Sequence, residues 1–367
     1  MAPARGSELR LEVRREDIAL TRMREQPLPE LHDGEALFEV ESFAITANNV
    51  TYGALMGERL GYWRLFPAPD GWGQIPVWGY LRALDSRVPG LANGRRAYGF
   101  CPPSSHVILT PDRVSEAGFV DAAPRRASLG TVYNTYAWLD TDPAFEAAIE
   151  RHLLVLRPLF WLSFMLVEEL TRQHLLDDLE VLVTSASSKA SIGTAHLLAE
   201  RGHRAPVGLT SPDNVAFVQS LGLYRDVCAY PDAASLTPER AVLLDIAGSM
   251  QTRRTLERRY EDSLARTIIA GGTHVDHSGA DPDSEHFFFV PERMRSRAKE
   301  IGWSELNARY CRDVKTFARE SLGWLEVEMA SGADGVTSAY AEALENATPP
   351  NHTFLLSLPA AGAGERL

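Results

Sequence analysis

Apolar and polar side chains alternate through much of the first hundred residues. Glu8 to Val13, Ala36 to Ser42, Gln74 to Ala83 and Arg95 to Phe100 either keep that period of two or are rich in Val, Ile, Phe and Tyr. Clusters of Pro, Gly and Asp separate them. Strands at this spacing predict a small barrel or sandwich. From Asp142 to Leu176 the period lengthens, with apolar residues at i, i+3, i+4 and i+7, and the pattern predicts helix. Strand and helix patterns then alternate. Glu180 to Thr184 reads as a buried strand, Ser191 to Arg201 as a helix closed by Gly202, Pro206 to Thr210 as a strand, and Asp213 to Leu221 as a helix closed by Gly222. Ala241 to Ile246 and Arg266 to Ala270 read as two further strands. Such alternation predicts a parallel, doubly wound α/β sheet whose ligand sits at the carboxyl ends of the strands. The chain closes with a helix, Val336 to Leu344, and an apolar strand, His352 to Leu358.

Length and charge narrow the function. At 367 residues the chain is long enough for two packed cores and short for three. A net charge of −12 argues against a nucleic-acid partner, which requires clustered excess cation. Cys101, Cys228 and Cys311 stand far apart, which excludes a disulfide scaffold and a cysteine-built zinc site and suits a reducing compartment. The apolar run Leu153 to Val167 is interrupted by Arg157-Pro158 and is too short to span a bilayer, so no membrane partner is expected. The first residues lack an apolar signal core, and the expected location is cytoplasmic. Of 37 basic residues only Lys189, Lys299 and Lys315 are lysines.

The order of pieces and several segments resemble the medium-chain dehydrogenase/reductase superfamily, in particular its zinc-free quinone oxidoreductase and enoyl reductase branch. The segments are Ala36 to Gly53 (ALFEVESFAITANNVTYG), Val88 to Phe100, Glu180 to Gly202 (EVLVTSASSKASIGTAHLLAERG) and Gly208 to Asp232. More narrowly, TANNVTYG, GYWRLFP and GWGQIPVWGY resemble the DUF2855 proteins. The resemblance implies an α/β fold with a GroES-like β-barrel domain (1–125 and 330–367), a helical insertion (126–158) and a doubly wound Rossmann domain (159–329). It further implies a cleft between the domains for a small-molecule substrate and, by analogy alone, a homodimer.

The departures from that pattern carry chemistry. A dinucleotide turn uses glycines so that the backbone can approach the pyrophosphate. Here the turn runs Ser185-Ala186-Ser187-Ser188-Lys189-Ala190-Ser191-Ile192-Gly193, and only Gly193 matches a family glycine. Ser187, Ser188 and Lys189 replace glycine amides with hydroxyls and a cation, groups suited to phosphate. The competing account is a serine-rich helix cap with a solvated lysine. At the end of the second strand Thr210-Ser211 stand where an acid would select the unphosphorylated cofactor, and Asn214 stands where the resemblance places a lysine in members that use the phosphorylated one, so the expected cofactor is NADPH. Tyr230, Gly248, Gly271 and His274 complete the cofactor contacts that the resemblance implies.

Candidate catalytic groups lie in the loop that matches the family's substrate site. Asn48, Asn49 and Tyr52 offer amides to hold a carbonyl oxygen and a phenol to donate a proton, although Asn-Asn is also a good turn and cap. The family's zinc positions read Val77-Trp78-Gly79-Tyr80, and His274-Val275-Asp276-His277 is a weak cluster, so no metal is expected. No G-x-S-x-G elbow and no P-loop occurs. The implied activity is zinc-independent, NADPH-dependent reduction of an enone, enoyl thioester or quinone-like substrate. The glycine-poor turn motivates the alternative: a chain that kept the fold, lost dinucleotide binding, and serves as a non-redox lyase or isomerase or as a ligand-binding or assembly protein.

Overall fold

The structure is a computed structural model that describes residues 6–54, 57–58, 61–127, 129–270 and 287–359. Two compact units divide the chain, one of residues 1–155 and 326–367 and the other of residues 156–325.

The first unit is built of sheet. β1 (Ser7–Arg14) pairs antiparallel with β2 (Thr21–Pro27), and then come β3 (Ala36–Ala44), α1 (Ala47–Ala54), β4 (Trp72–Gly73), β5 (Val77–Ser86), β6 (Arg96–Cys101), β7 (His106–Leu109), β8 (Pro111–Asp112), β9 (Gly118–Asp121), α2 (Thr131–Asn134) and β10 (Thr135–Trp138). β2, β1 and β4 form a small sheet in that order. β3 is central to the large one, flanked by β5, with β7 on part of its length. That position explains why ALFEVESFA is buried along nearly its whole length, whereas TRMREQP of β2, paired on one side only, buries no side chain fully. Residues 126–158, expected as a helical insertion, instead place β10 in the sheet between β6 and β9, because Tyr136 and Trp138 are fully buried there. Arg126 is also fully buried. It pairs with Asp121 and donates to Tyr136 Oη (2.7 Å) and Phe100 O (3.2 Å).

The division between the units falls within α3 (Glu150–Arg172), which starts later than the apolar pattern suggested because 142–149 form turns and a short 3₁₀ segment. The second unit continues with β11 (Glu180–Val183), α4 (Lys189–Glu200), β12 (Val207–Thr210), α5 (Val215–Ser220), β13 (Asp226–Ala229), β14 (Ala241–Asp245), α6 (Met250–Tyr260), β15 (Leu264–Ile269), α7 (Val290–Ile301) and α8 (Trp303–Glu320). Its five strands are all parallel in the order β13-β12-β11-β14-β15. β11, β12 and β14 are buried on both faces, as their unbroken apolar runs require. The order reverses between β11 and β14, so their carboxyl ends form the switch point where such sheets bind ligands. α7 and α8 were not apparent from the sequence. α8 buries Leu306, Tyr310, Val314 and Phe317, one helical face, and Phe317 stacks on Phe160 of α3 at 5.1 Å.

The chain returns to the first unit with β16 (Glu326–Ser331), α9 (Gly332–Glu345) and β17 (His352–Ser357). β17 joins β3, and β16 is the outer strand beyond it.

Candidate functional site

At the switch point of the second unit the strand ends are tied together by one hydroxyl. Thr184, fully buried after β11, donates through Oγ1 to Asp245 Oδ1 and accepts from the N–H groups of Ile246 and Ala247, each at 2.9 Å. The same Asp245 oxygen accepts from Gly248 N (3.0 Å), and its other oxygen faces Arg253 Nε of α6 at 3.5 Å. Gly248, expected to contact the cofactor, therefore commits its N–H to Asp245 and turns the chain at φ 72°. Neither Thr184 nor Asp245 stood out in the sequence. An acid closing the apolar run AVLLD is the signal that could have marked the pair.

The turn from β11 into α4 is held by two phenols in place of glycines. Ser185 adopts φ 52°, the left-handed conformation that favours glycine, and its N–H donates to Tyr230 Oη at 2.8 Å. Burial pushes the Tyr230 phenol up to about 12, with the Ser185 N–H acting in the opposite direction. Tyr224 donates to Ala186 O at 2.9 Å, and its ring lies over Gly208, where a Cβ would meet Tyr224 Cδ1 at 2.8 Å and Ala186 Cβ at 2.9 Å. Tyr230 thus supports the turn through its hydroxyl, and Tyr224 is an addition that sequence reasoning missed.

Ser188 caps α4. Its Oγ accepts from Ser191 N at 3.2 Å and donates to Ser191 Oγ at 2.9 Å, and Ser191 in turn donates to Thr184 O at 3.0 Å. The backbone N–H groups of Ser187 and Ala190 meet no acceptor among the described residues. Ser187 Oγ accepts from Thr210 Oγ1 and Asn214 Nδ2, both at 3.2 Å, and Asn214 Nδ2 also reaches Ser211 Oγ at 2.9 Å. Four predicted residues thus gather into one neutral polar cluster that contains no carboxylate. Lys189 opens the helix half-buried, and burial pushes its ammonium down to about 8. A cation here opposes the helix dipole unless an anion accompanies it. Gly193 does not belong with these groups. It is buried against α3, where a Cβ would meet Ser163 Oγ at 2.7 Å and Phe160 Cδ2 at 3.1 Å, so it serves helix packing and not phosphate approach. Gly271 and His274, with the rest of the His274–His277 cluster, lie outside the described residues.

In the first unit, Asn48, Asn49 and Tyr52 share α1 but part in role. Asn49 is 3% exposed. Its Oδ1 accepts from Thr46 N (2.9 Å) and Thr46 Oγ1 (3.2 Å), and its Nδ2 donates to Pro76 O (3.0 Å). Both ends of that amide are committed, so Asn49 caps and anchors the helix and is not available to a substrate. Asn48 Nδ2 donates to Tyr52 Oη at 2.9 Å, leaving the phenol its own proton to donate. Burial pushes the Tyr52 phenol up, while Asn48 and the facing Trp78 indole act in the opposite direction, so it stays neutral. Tyr62 and Phe100 meet the Tyr52 ring edge-on at 5.3 and 5.9 Å. Among the described residues no three His, Cys, Asp or Glu side chains gather as a metal site, and no helix is long and apolar enough to cross a membrane.

Comparison with known proteins bears on the fold. Solved structures of similar architecture include CurA from Vibrio vulnificus in complex with NADPH (9% identity, TM-score 0.55, 92% of this chain and 94% of that one). They also include CurK enoyl reductase (13%, 0.55, 96% and 99%) and mycobacterial Rv1454c complexed with NADPH (14%, 0.57, 95% and 99%). At these identities the likeness carries the fold alone: a GroES-like sheet domain and a doubly wound Rossmann domain, as the resemblance implied. No curated protein matches the sequence. The model of one family, described as a protein of unknown function, matches residues 43–349, and the chain belongs to that family, DUF2855.

Proposed function

We propose that this chain is a zinc-independent, NADPH-dependent oxidoreductase that reduces an activated C=C, as in an enone or enoyl thioester, or a quinone-like substrate. The observation that carries the reading is the acid-free cluster of Ser187, Thr210, Ser211 and Asn214 beside a helix N-terminus headed by Lys189. Neutral donors with a cation suit a phosphorylated ribose, and a carboxylate at the same place would repel it. The N–H groups of Ser187 and Ala190, unmet among the described residues, suit a pyrophosphate at the helix N-terminus. That two structural neighbours were solved with NADPH supports the same reading. NADPH, when bound, supplies a hydride. In the first unit Tyr52, kept neutral by burial and oriented by Asn48, donates the proton that completes the reduction.

One observation favours the alternative of a fold that has lost its dinucleotide. Ser187, Thr210 and Asn214 already satisfy one another, and Ser185 occupies a conformation where the usual turn has glycine. Titrating NADPH and NADH against the purified protein, followed by nicotinamide fluorescence, separates the readings. Binding is expected below about 1 mM for NADPH. Ser187→Asp is expected to weaken NADPH at least about tenfold, by like-charge repulsion, and to weaken NADH, which lacks the 2′-phosphate, several-fold less. No binding of either nucleotide at about 1 mM ends the reductase reading.

A further inference from the structure

The first unit carries a second feature that the reductase reading does not use. A cavity of about 510 Å3 is walled by the β1–β2 hairpin, the 66–74 segment, β7 and Arg125. Small-molecule sites span roughly 300–1,000 Å3, so the volume fits an organic ligand and exceeds what a few waters need. Phe66, Pro67, Pro69, Pro102 and Val107 supply apolar wall.

Its polar groups are incompletely satisfied in a definite sense. Gln74 is 2% exposed, and its Nε2 donates to Pro67 O at 3.2 Å, which orients the amide and leaves Oε1 buried with no donor among the described residues. A buried acceptor left unmet costs about 1–3 kcal/mol. Arg10 and Arg24 stand directly opposite each other in the β1–β2 ladder, and both line the cavity. Like charges so placed are destabilising. Arg10 is offset by Glu12 at 2.7 Å and Glu8 at 4.0 Å, whereas Arg24 makes no ion pair or hydrogen bond among the described residues. Arg125 spends Nε on Leu65 O at 2.9 Å and keeps its terminal amino groups uncommitted among those residues.

Three carboxylates share the wall. Glu8 is held by Arg10 and by Gln26 at 3.0 Å, Glu35 accepts from His32 N at 2.8 Å, and Glu30 is exposed. The capacity left over is therefore guanidinium N–H, which seeks an anion, and one amide oxygen, which seeks a donor.

We propose that this cavity binds a small organic acid with an apolar body and an N–H or O–H group beside its carboxylate. Arg24 and Arg125 hold the carboxylate, Gln74 Oε1 accepts from the neighbouring donor, and Phe66 and the prolines cover the body. The site uses no residue of the cofactor turn, so it stands or falls apart from the reductase reading.

Hippurate has the required groups and serves as the probe, with binding read by calorimetry and saturation-transfer NMR on the full chain. Binding at or below about 1 mM is expected, with methyl hippurate, which lacks the charge, and N-methylhippurate, which lacks the donor, each about tenfold weaker. Arg24→Gln and Gln74→Leu are expected to weaken hippurate about tenfold, and Lys189→Ala to leave it unchanged. Absence of binding at about 10 mM overturns the proposal, and so does binding that persists in Arg24→Gln. Should Gln74→Leu fail to fold, the wild-type preference for hippurate over N-methylhippurate tests the same contact, and equal affinity refutes it.

Discussion

Thr184→Val removes one oxygen from a fully buried position and nearly preserves its shape, so it isolates what that oxygen does. Thr184 Oγ1 accepts from Ile246 N and Ala247 N and donates to Asp245 Oδ1. In the valine variant two buried N–H groups lose their acceptor, and Asp245 keeps Gly248 N but loses a donor. A buried group left unmet costs about 1–3 kcal/mol, so the two N–H groups together cost about 2–6 kcal/mol, and a value near 4 kcal/mol is expected. Thr184→Ser keeps the hydroxyl and deletes a methyl, which costs about 1 kcal/mol. For a unit the size of residues 156–325, each kcal/mol moves the melting temperature by about 2–4 °C. The valine variant is thus expected to melt about 8–16 °C lower and the serine variant about 2–4 °C lower. Circular dichroism melts, with urea unfolding as a check, give both values. A serine variant as unstable as the valine one, or a valine variant within about 1 kcal/mol of the parent, refutes the account of Thr184 as the tie between β11 and β14.

Three further outcomes are expected. Gly208→Ala places a Cβ against the Tyr224 ring and Ala186, which should cost about 1–3 kcal/mol in urea unfolding and loosen the turn that Tyr224 holds; unchanged stability would mean the ring shifts freely. Arg126→Met leaves Asp121 buried without its cation and should cost about 3–5 kcal/mol, again by urea unfolding, and a loss under about 1 kcal/mol would refute its role as the core ion pair of the first unit. Lys189 has its ammonium held to about 8 by burial, against 10.5 for an ordinary lysine. The folded state therefore binds fewer protons than the unfolded one between those values. The group's unfavourable contribution is full below about pH 8 and fades as the pH rises towards 10.5, so stability should climb across that window and lose this slope in Lys189→Met. NADPH affinity should run the other way, falling as the pH rises through about 8 and the cation is lost; the same pH profile in Lys189→Met and in the parent would detach this lysine from the phosphate.

What could be read from the sequence was what neighbours along the chain decide. β11, β12 and β14 were legible because a strand buried on both faces has no choice but an unbroken apolar run. The outer strands β2 and β16 bury no side chain fully and β13 buries only Cys228, so the burial that imposes an unbroken apolar run is missing from them. Within the site the same rule holds. Ser188 capping Ser191 is a contact three residues long, and the serine-rich cap could be read directly.

Roles decided by partners far along the chain could not be. Asn48 and Asn49 are the same residue type on the same turn, yet Asn49 is spent on the carbonyl of Pro76, 27 residues away, and Asn48 is left facing a phenol. Gly193 has the position of a phosphate glycine, and only the approach of Ser163 from α3 shows that its missing side chain makes room for a helix. Thr184 and Asp245 are 61 residues apart and look unremarkable until the parallel ladder sets them side by side. The polar residues whose assignment changed are those that satisfy buried backbone groups, since that accounting closes only in three dimensions. The residues still available for chemistry are then those the accounting leaves over. Among the described residues these are the backbone N–H groups of Ser187 and Ala190 in the second unit, and the Tyr52 proton, the Gln74 oxygen and the Arg24 guanidinium in the first.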